Sequence, residues 1–270
     1  MNLQYKKYAI TAGVLAIPVI SLIIALCLGL HYEHEYKVAE DEYEQLEQEY
    51  APTRNINIEE KQKRQNTEFQ STAVTLDVSA IQFENADFQS LQSINSDVIA
   101  WITIPGCNIN YPVVQGRDNE KYLTTTYKGS ANSSGAIFID CENSPDFSDT
   151  HTLMYGHNMK NGSMFGGLKK LRNNPSEVNK SPYLYLFTPD GKTRQYRIFS
   201  VKEVDAESSA YRFFSGNANY DEYIDECINE SKGGITQTLN FATRPPILTL
   251  STCSGEDGRV LVHCALISTF

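Results

Sequence analysis

Apolar and polar positions change their rhythm along this chain, and each change marks a new part. Residues 8–30 are apolar apart from Thr11 and Ser21 and carry no charge. A run of that length is enough to cross a bilayer core of ~30 Å as a helix. Next, Tyr32, Tyr36, Ala39, Tyr43, Leu46 and Tyr50 recur at spacings of four and three, with Glu on the other faces. That is a helical stripe, read either as an acidic solvated spacer or as a short dimer contact. Residues 51–80 hold Pro52, many Asn and Gln, and no period, which describes a linker.

From residue 81 the pattern becomes that of a folded domain. Phe88, Leu91 and Ile94 predict a first helix with Asp87 as its cap. Strand-like runs follow at residues 99–104, 109–114, 136–139, 151–155, 183–188, 196–204, 247–252 and 260–267, most of them separated by Gly, Pro, Asn or Asp. Eight short strands with few helices between them predict a mainly β domain, a closed or nearly closed eight-stranded barrel. One clear helix interrupts the series late. Tyr220, Tyr223, Ile224, Cys227 and Ile228 fall on one face, with Asn219 as the expected cap and Gly233-Gly234 as the stop. A shorter helix is expected at 163–171.

Charge gives the chain a direction. Lys6 and Lys7 precede the apolar run and an acidic stretch follows it. The positive-inside rule then predicts a cytoplasmic tail at 1–7, a transmembrane anchor at 8–30, an acidic helical stalk and linker at 31–80, and an extracellular domain at 81–270. A cleaved signal peptide is the rival reading, but the run is long and no small-x-small site precedes His31. Pro18 is tolerated in a membrane helix. The net charge of -10, from 23 basic and 33 acidic residues, argues against a nucleic-acid partner.

Six cysteines are present. Cys27 lies in the apolar run, which leaves Cys107, Cys141, Cys227, Cys253 and Cys264 for the domain. With no CxxC pair, a zinc site is not expected. Cys227 and Cys264 fall on apolar faces, as small hydrophobes do, and pairing of Cys107 with Cys141 stays open. Cys253 differs. It ends the run Pro246-Ile247-Leu248-Thr249-Leu250-Ser251-Thr252-Cys253, where a strand gives way to the turn-rich Ser254-Gly255-Glu256-Asp257-Gly258, and Arg259 starts the next strand. A thiol at a strand end is held firmly yet reaches solvent, and a nearby guanidinium can hold a thiolate or an oxyanion. The plain alternative is an apolar Cys finishing a core strand.

A nucleophilic Cys needs a base or a positive neighbour. His31 and His34 lie in the stalk. His263 is adjacent to Cys264 on a strand, so the two point to opposite faces. His151 begins a strand. His157, in Met154-Tyr155-Gly156-His157-Asn158-Met159, sits just past a strand at a Gly, where an imidazole could meet Cys253 across a barrel mouth.

Several strings together resemble the class B sortases, cysteine transpeptidases of Gram-positive cell surfaces. They are Ile99-Ala100-Trp101-Ile102-Thr103-Ile104-Pro105-Gly106, Tyr111-Pro112-Val113-Val114-Gln115-Gly116, Asp118-Asn119-Glu120-Lys121-Tyr122-Leu123, Gly135-Ala136-Ile137-Phe138-Ile139-Asp140, Tyr155-Gly156-His157-Asn158-Met159 with Gly162-Ser163-Met164-Phe165, and Thr249-Leu250-Ser251-Thr252-Cys253 with Arg259. The resemblance spans roughly residues 85–267. It implies a sortase-type eight-stranded barrel with Cys253 as nucleophile, His157 as its partner and Arg259 as the basic residue. It also implies a substrate groove lined by Tyr155, Ser251, Asn119 and Leu123. Only five residues separate Cys253 from Arg259, fewer than the family pattern leads one to expect.

What the resemblance implies is a membrane-anchored transpeptidase on a Gram-positive surface. Its partners would be secreted proteins with a C-terminal sorting signal, cleaved after Thr, and an amine of a peptidoglycan precursor or a pilin. That chemistry requires no metal or organic cofactor. Other readings are a hydrolase that trims the signals and a non-catalytic binding module on the same barrel.

Overall fold

The computed structural model describes residues 3–52, 54–55, 82–83, 85–205, 219–236, 239–253 and 258–270; the side chains of 3–18, 54, 55, 82, 83 and 253 lie outside the description. The backbone opens with one helix, α1 (Leu3–Tyr50). A two-residue pair, β1 (Arg54–Asn55) with β2 (Gln82–Phe83), brackets most of the expected linker. Next come α2 (Phe88–Ile94), β3 (Val98–Ile104), β4 (Ile109–Val114), β5 (Ile137–Ile139) and β6 (His151–Tyr155). They are followed by α3 (Lys169–Asn173), β7 (Tyr183–Phe187), β8 (Thr193–Asp205), α4 (Tyr220–Asn229), β9 (Ile247–Cys253) and β10 (Gly258–Thr269).

Strands β3 to β10 close into a barrel in the order β10-β8-β7-β3-β4-β5-β6-β9. The β4–β5 and β6–β9 pairs are parallel, and the others are antiparallel. Alternation along each strand sorts two sets of apolar side chains. Leu248, Leu250, Val260, Val262 and Cys264 join the main core with Trp101, Ile139 and Leu186. On the other face of β9 and β10, Ile247 and Ala265 pack with Phe199 against Tyr220, Tyr223, Ile224 and Cys227 of α4. His263 and Cys264 therefore do face opposite ways, as strand alternation requires.

The helices bear out the sequence reading in one place and adjust it in three. Asp87 does cap α2, accepting from Ser90 N–H at 3.1 Å. Asn219 makes no side-chain cap bond to α4. The expected helix at 163–171 is a tight turn at Phe165–Leu168 leading into α3, because Gly166-Gly167 supports no regular helix start. The largest difference is the stalk. The middle of its stripe is neither solvated nor free for a partner: Ala39, Tyr43 and Leu46 are buried against this chain's own barrel, while Tyr32 stays exposed. Tyr43 Oη donates to Gly135 O at 2.8 Å and accepts from Tyr127 N–H. The Glu35 carbonyl and carboxylate accept from Asn132 Nδ2 and Ser133 Oγ, both at 2.9 Å. The helical period was correct; what it packs against lies about 90 residues away in sequence, where local spacing is blind.

Among the described residues no helix is long and apolar enough to cross a membrane. Residues 8–18 of the expected anchor have side chains outside the description.

Candidate active site

Three strand ends meet at one rim of the barrel. β9 ends at Cys253, β10 begins next to Arg259, and β6 ends two residues before His157. The antiparallel register pairs Arg259 directly with Cys253, so both positions lie on one face as closest cross-strand neighbours. The five-residue spacing that looked short in sequence is what this pairing needs, because the loop only has to reverse the chain between partners. Residues 254–257 of that loop, with the backbone N–H near Ser254, lie outside the described residues. Arg259 is half-buried, and its Nη1 donates to Gly258 O at 2.9 Å.

The parallel register on the other side of β9 pairs Tyr155 with Ser251. Carried two residues further, it brings position 157 level with position 253. A hydrogen bond from Gly156 N–H to Ser251 O, 3.2 Å, extends the ladder past the strand end. Gly156 permits the turn because a Cβ there would run into Ile137 Cδ1 and the Phe165 ring. The chain after His157 is pinned. Phe165 N–H donates to His157 O at 2.9 Å, Met164 N–H to Tyr111 Oη at 3.1 Å, and Lys169 Nζ to Met159 O at 2.8 Å.

The His157 ring has a fixed orientation. Its Nε2 lies 2.7 Å from Leu123 O. A carbonyl only accepts, so Nε2 carries the proton and Nδ1 is the basic nitrogen of the neutral ring. Leu123 thus contributes its backbone, while its side chain is 41% exposed.

Tyr155 and Asn119, two of the remaining expected groove residues, converge on one that sequence reading missed. Asp140, 5% exposed, follows β5 directly. Its Oδ2 accepts from Tyr155 Oη at 2.8 Å and from Asn119 Nδ2 at 2.9 Å, and Asn119 Oδ1 accepts from Cys141 N–H at 2.9 Å. The Tyr155 ring packs on Phe138 with centroids 5.3 Å apart. Asn119 is therefore a brace for Tyr155. Ser251 is only 4% exposed, and its carbonyl serves the β6 ladder. The signal for Asp140 was available as a carboxylate ending an apolar strand; nothing local distinguishes it from a surface Asp.

The other cysteines of the barrel domain are poor nucleophiles. Burial pushes the Cys107 and Cys227 thiols up to about 12 and raises Cys264 further. Cys141 is raised by burial and by the Asp140 and Glu142 charges.

Residues 102–267 match the sortase domain model. The chain is 31% identical over 188 residues to a sortase B of Listeria monocytogenes, covering 67% of this chain and 74% of the relative. It is 30% identical over 219 residues to a sortase B of Staphylococcus aureus, covering 78% and 87%. A solved Staphylococcus aureus sortase B–substrate complex superposes with a TM-score of 0.68 at 26% identity, covering 87% of this chain and 99% of that one.

Proposed function

The chain belongs to the class B sortases and is a cysteine transpeptidase, and we propose that its reaction runs on Cys253, His157 and Arg259 at the rim of the barrel. The observation that carries this reading is the direct pairing of Cys253 with Arg259, with His157 at the end of the adjacent strand.

In this reading, the Cys253 thiol passes its proton to His157 Nδ1 and the sulfur attacks the carbonyl carbon of a Thr in a C-terminal sorting signal. Negative charge gathers on the carbonyl oxygen, where Arg259 and a backbone N–H near Ser254 stabilise it. Losing one such donor costs ~3 kcal/mol in hydrolases. The C–N bond breaks, and the His157 proton goes to the leaving amine. A thioester remains on Cys253. An incoming amine attacks it, gives its proton to His157 and expels the thiolate, which recovers that proton. The amine belongs to a peptidoglycan precursor or a pilin. Asp140, Asn119 and Tyr155 form the wall that receives the signal; the Staphylococcus aureus relative solved with a substrate supports a peptide groove. The uncharged run at 8–30 supports a single-span anchor with the barrel outside a Gram-positive cell.

The test is mass spectrometry of the protein with a library of Thr-containing sorting peptides, with and without an added amine. We expect a thioester on Cys253 that the amine resolves into a joined product. An adduct that yields only hydrolysed peptide at saturating amine would make the protein a trimming hydrolase. A thioester on another cysteine would refute the assignment.

A further inference from the structure

Below the rim, the same face of the sheet carries a second row of polar side chains that the reaction above does not use. Thr249 lies four residues before Cys253, and His263 four residues after Arg259; the two are direct partners across β9 and β10. His151 comes from β6. Thr249 Oγ1 lies 2.8 Å from His151 Nε2 and 2.9 Å from His263 Nδ1. Tyr223 of α4 places its hydroxyl 3.3–3.4 Å from all three. His151, Thr249, Tyr223 and His263 are all buried.

The proton order follows from elementary accounting. Among the described residues, His263 Nε2 is buried with no hydrogen-bond partner. An unpaired N–H there costs more than an unpaired lone pair, so Nδ1 carries the proton and donates to Thr249 Oγ1. The Thr hydroxyl then donates to His151 Nε2. The chain His263 → Thr249 → His151 uses one hydroxyl to tie β10 to β9 and β9 to β6. It ties together the three strands that carry Arg259, Cys253 and the approach to His157. The register of β10 against β8 shifts between His263 and Cys264, an irregularity of the kind that re-aims a side chain beside an active site. A satisfied polar row specifies one lateral arrangement, which apolar contacts do not. The β6–β9 pair is parallel, the weaker kind of ladder, so a side-chain brace has most effect there.

We propose that Thr249, His151, His263 and Tyr223 form a positioning row that holds His157, Cys253 and Arg259 in their mutual register, with the Thr249 hydroxyl as its hub. This rests on the active-site reading above.

The test is the rate of Cys253 alkylation by iodoacetamide against pH in the full-length chain, read site by site by peptide mapping, with Cys141 as internal reference. In the unsubstituted protein the profile gives the apparent pKa of the Cys253–His157 pair. Thr249→Val is expected to raise that value by about one unit, which makes alkylation at pH below both values about tenfold slower. Thr249→Ser, which keeps the hydroxyl, follows the unsubstituted profile, and Cys141 is unchanged throughout. A Thr249→Val profile that matches the original, even with a lower melting temperature, overturns the proposal, as does a Ser variant that behaves like Val. If Thr249→Val does not fold, Tyr223→Phe is read the same way, with a smaller upward shift expected and no shift overturning the proposal. A Cys253 that iodoacetamide fails to alkylate at any pH in the unsubstituted protein would instead refute the active-site reading and remove this inference with it.

Discussion

Arg259 and Cys253 are direct partners across the β9–β10 ladder, although a turn-rich loop separates them in sequence. Cross-strand partners on one face lie ~4.5–5.5 Å apart at Cβ, close enough for one substrate carbonyl to touch both. The guanidinium offers a planar fork that an ammonium cannot copy. Arg259→Ala is expected to lower kcat by ~10²–10³ with little change in KM, and Arg259→Lys to recover only part of it. Steady-state transpeptidation with a captured peptide measures both. An Ala variant within twofold of the original would take Arg259 out of the mechanism.

Gly156 lets β6 end where His157 can reach Leu123 O. A Cβ at position 156 meets Ile137 and Phe165, in a core where overpacking costs ~1–3 kcal/mol. Gly156→Ala should lower the melting temperature and, by displacing His157, lower kcat further than Leu123→Ala, which keeps the carbonyl. If Gly156→Ala keeps both stability and rate, the turn is not what sets the imidazole.

Helix α1 is structural as well as topological. Tyr43→Phe removes a buried hydroxyl that bonds Gly135 O and Tyr127 N, for an expected loss of ~1–3 kcal/mol because a buried backbone group is left unpaired. A chain starting at residue 75 should accordingly melt below one starting at residue 31. Denaturant titration of the pair checks this; equal midpoints would mean that the helix contributes nothing to the barrel.

Burial holds the His263 pKa well below the usual 6.5, with Lys202 and His151 adding to it. Lys202, 2% exposed, is itself paired with Glu226 of α4 and with Glu230 just past its end. A folded pKa below the unfolded one means that the unfolded chain binds the extra proton. This contribution to stability is therefore complete above pH ~6.5 and falls as pH drops below it. Urea midpoints from pH 7.5 down to 5 should fall, and His263→Gln should flatten that slope. A slope unchanged in the variant would assign the acid sensitivity to other groups.

Much of this molecule was written in local pattern. Apolar runs bounded by turn residues marked all eight barrel strands to within three residues at each end, because a buried strand leaves such a run in the sequence whatever its partner strand is. The period of four and three likewise marked α1 and α4. Cys253, His157 and Arg259 stood out because turn residues next to an apolar run reveal a strand end. Pairing was not legible. Which strands adjoin, that Tyr43 reaches Gly135, and that Asp140 holds both Tyr155 and Asn119 depend on contacts between segments up to tens of residues apart, and the pairing of position 253 with 259 depends on the register of β9 against β10. Leu123 could not be foreseen as a backbone acceptor, since every residue carries the same carbonyl. The row of His151, Thr249 and His263 read in sequence as isolated polar residues within strands. Only closure of the barrel, which sets β6, β9 and β10 side by side beneath α4, makes one hydroxyl their common partner.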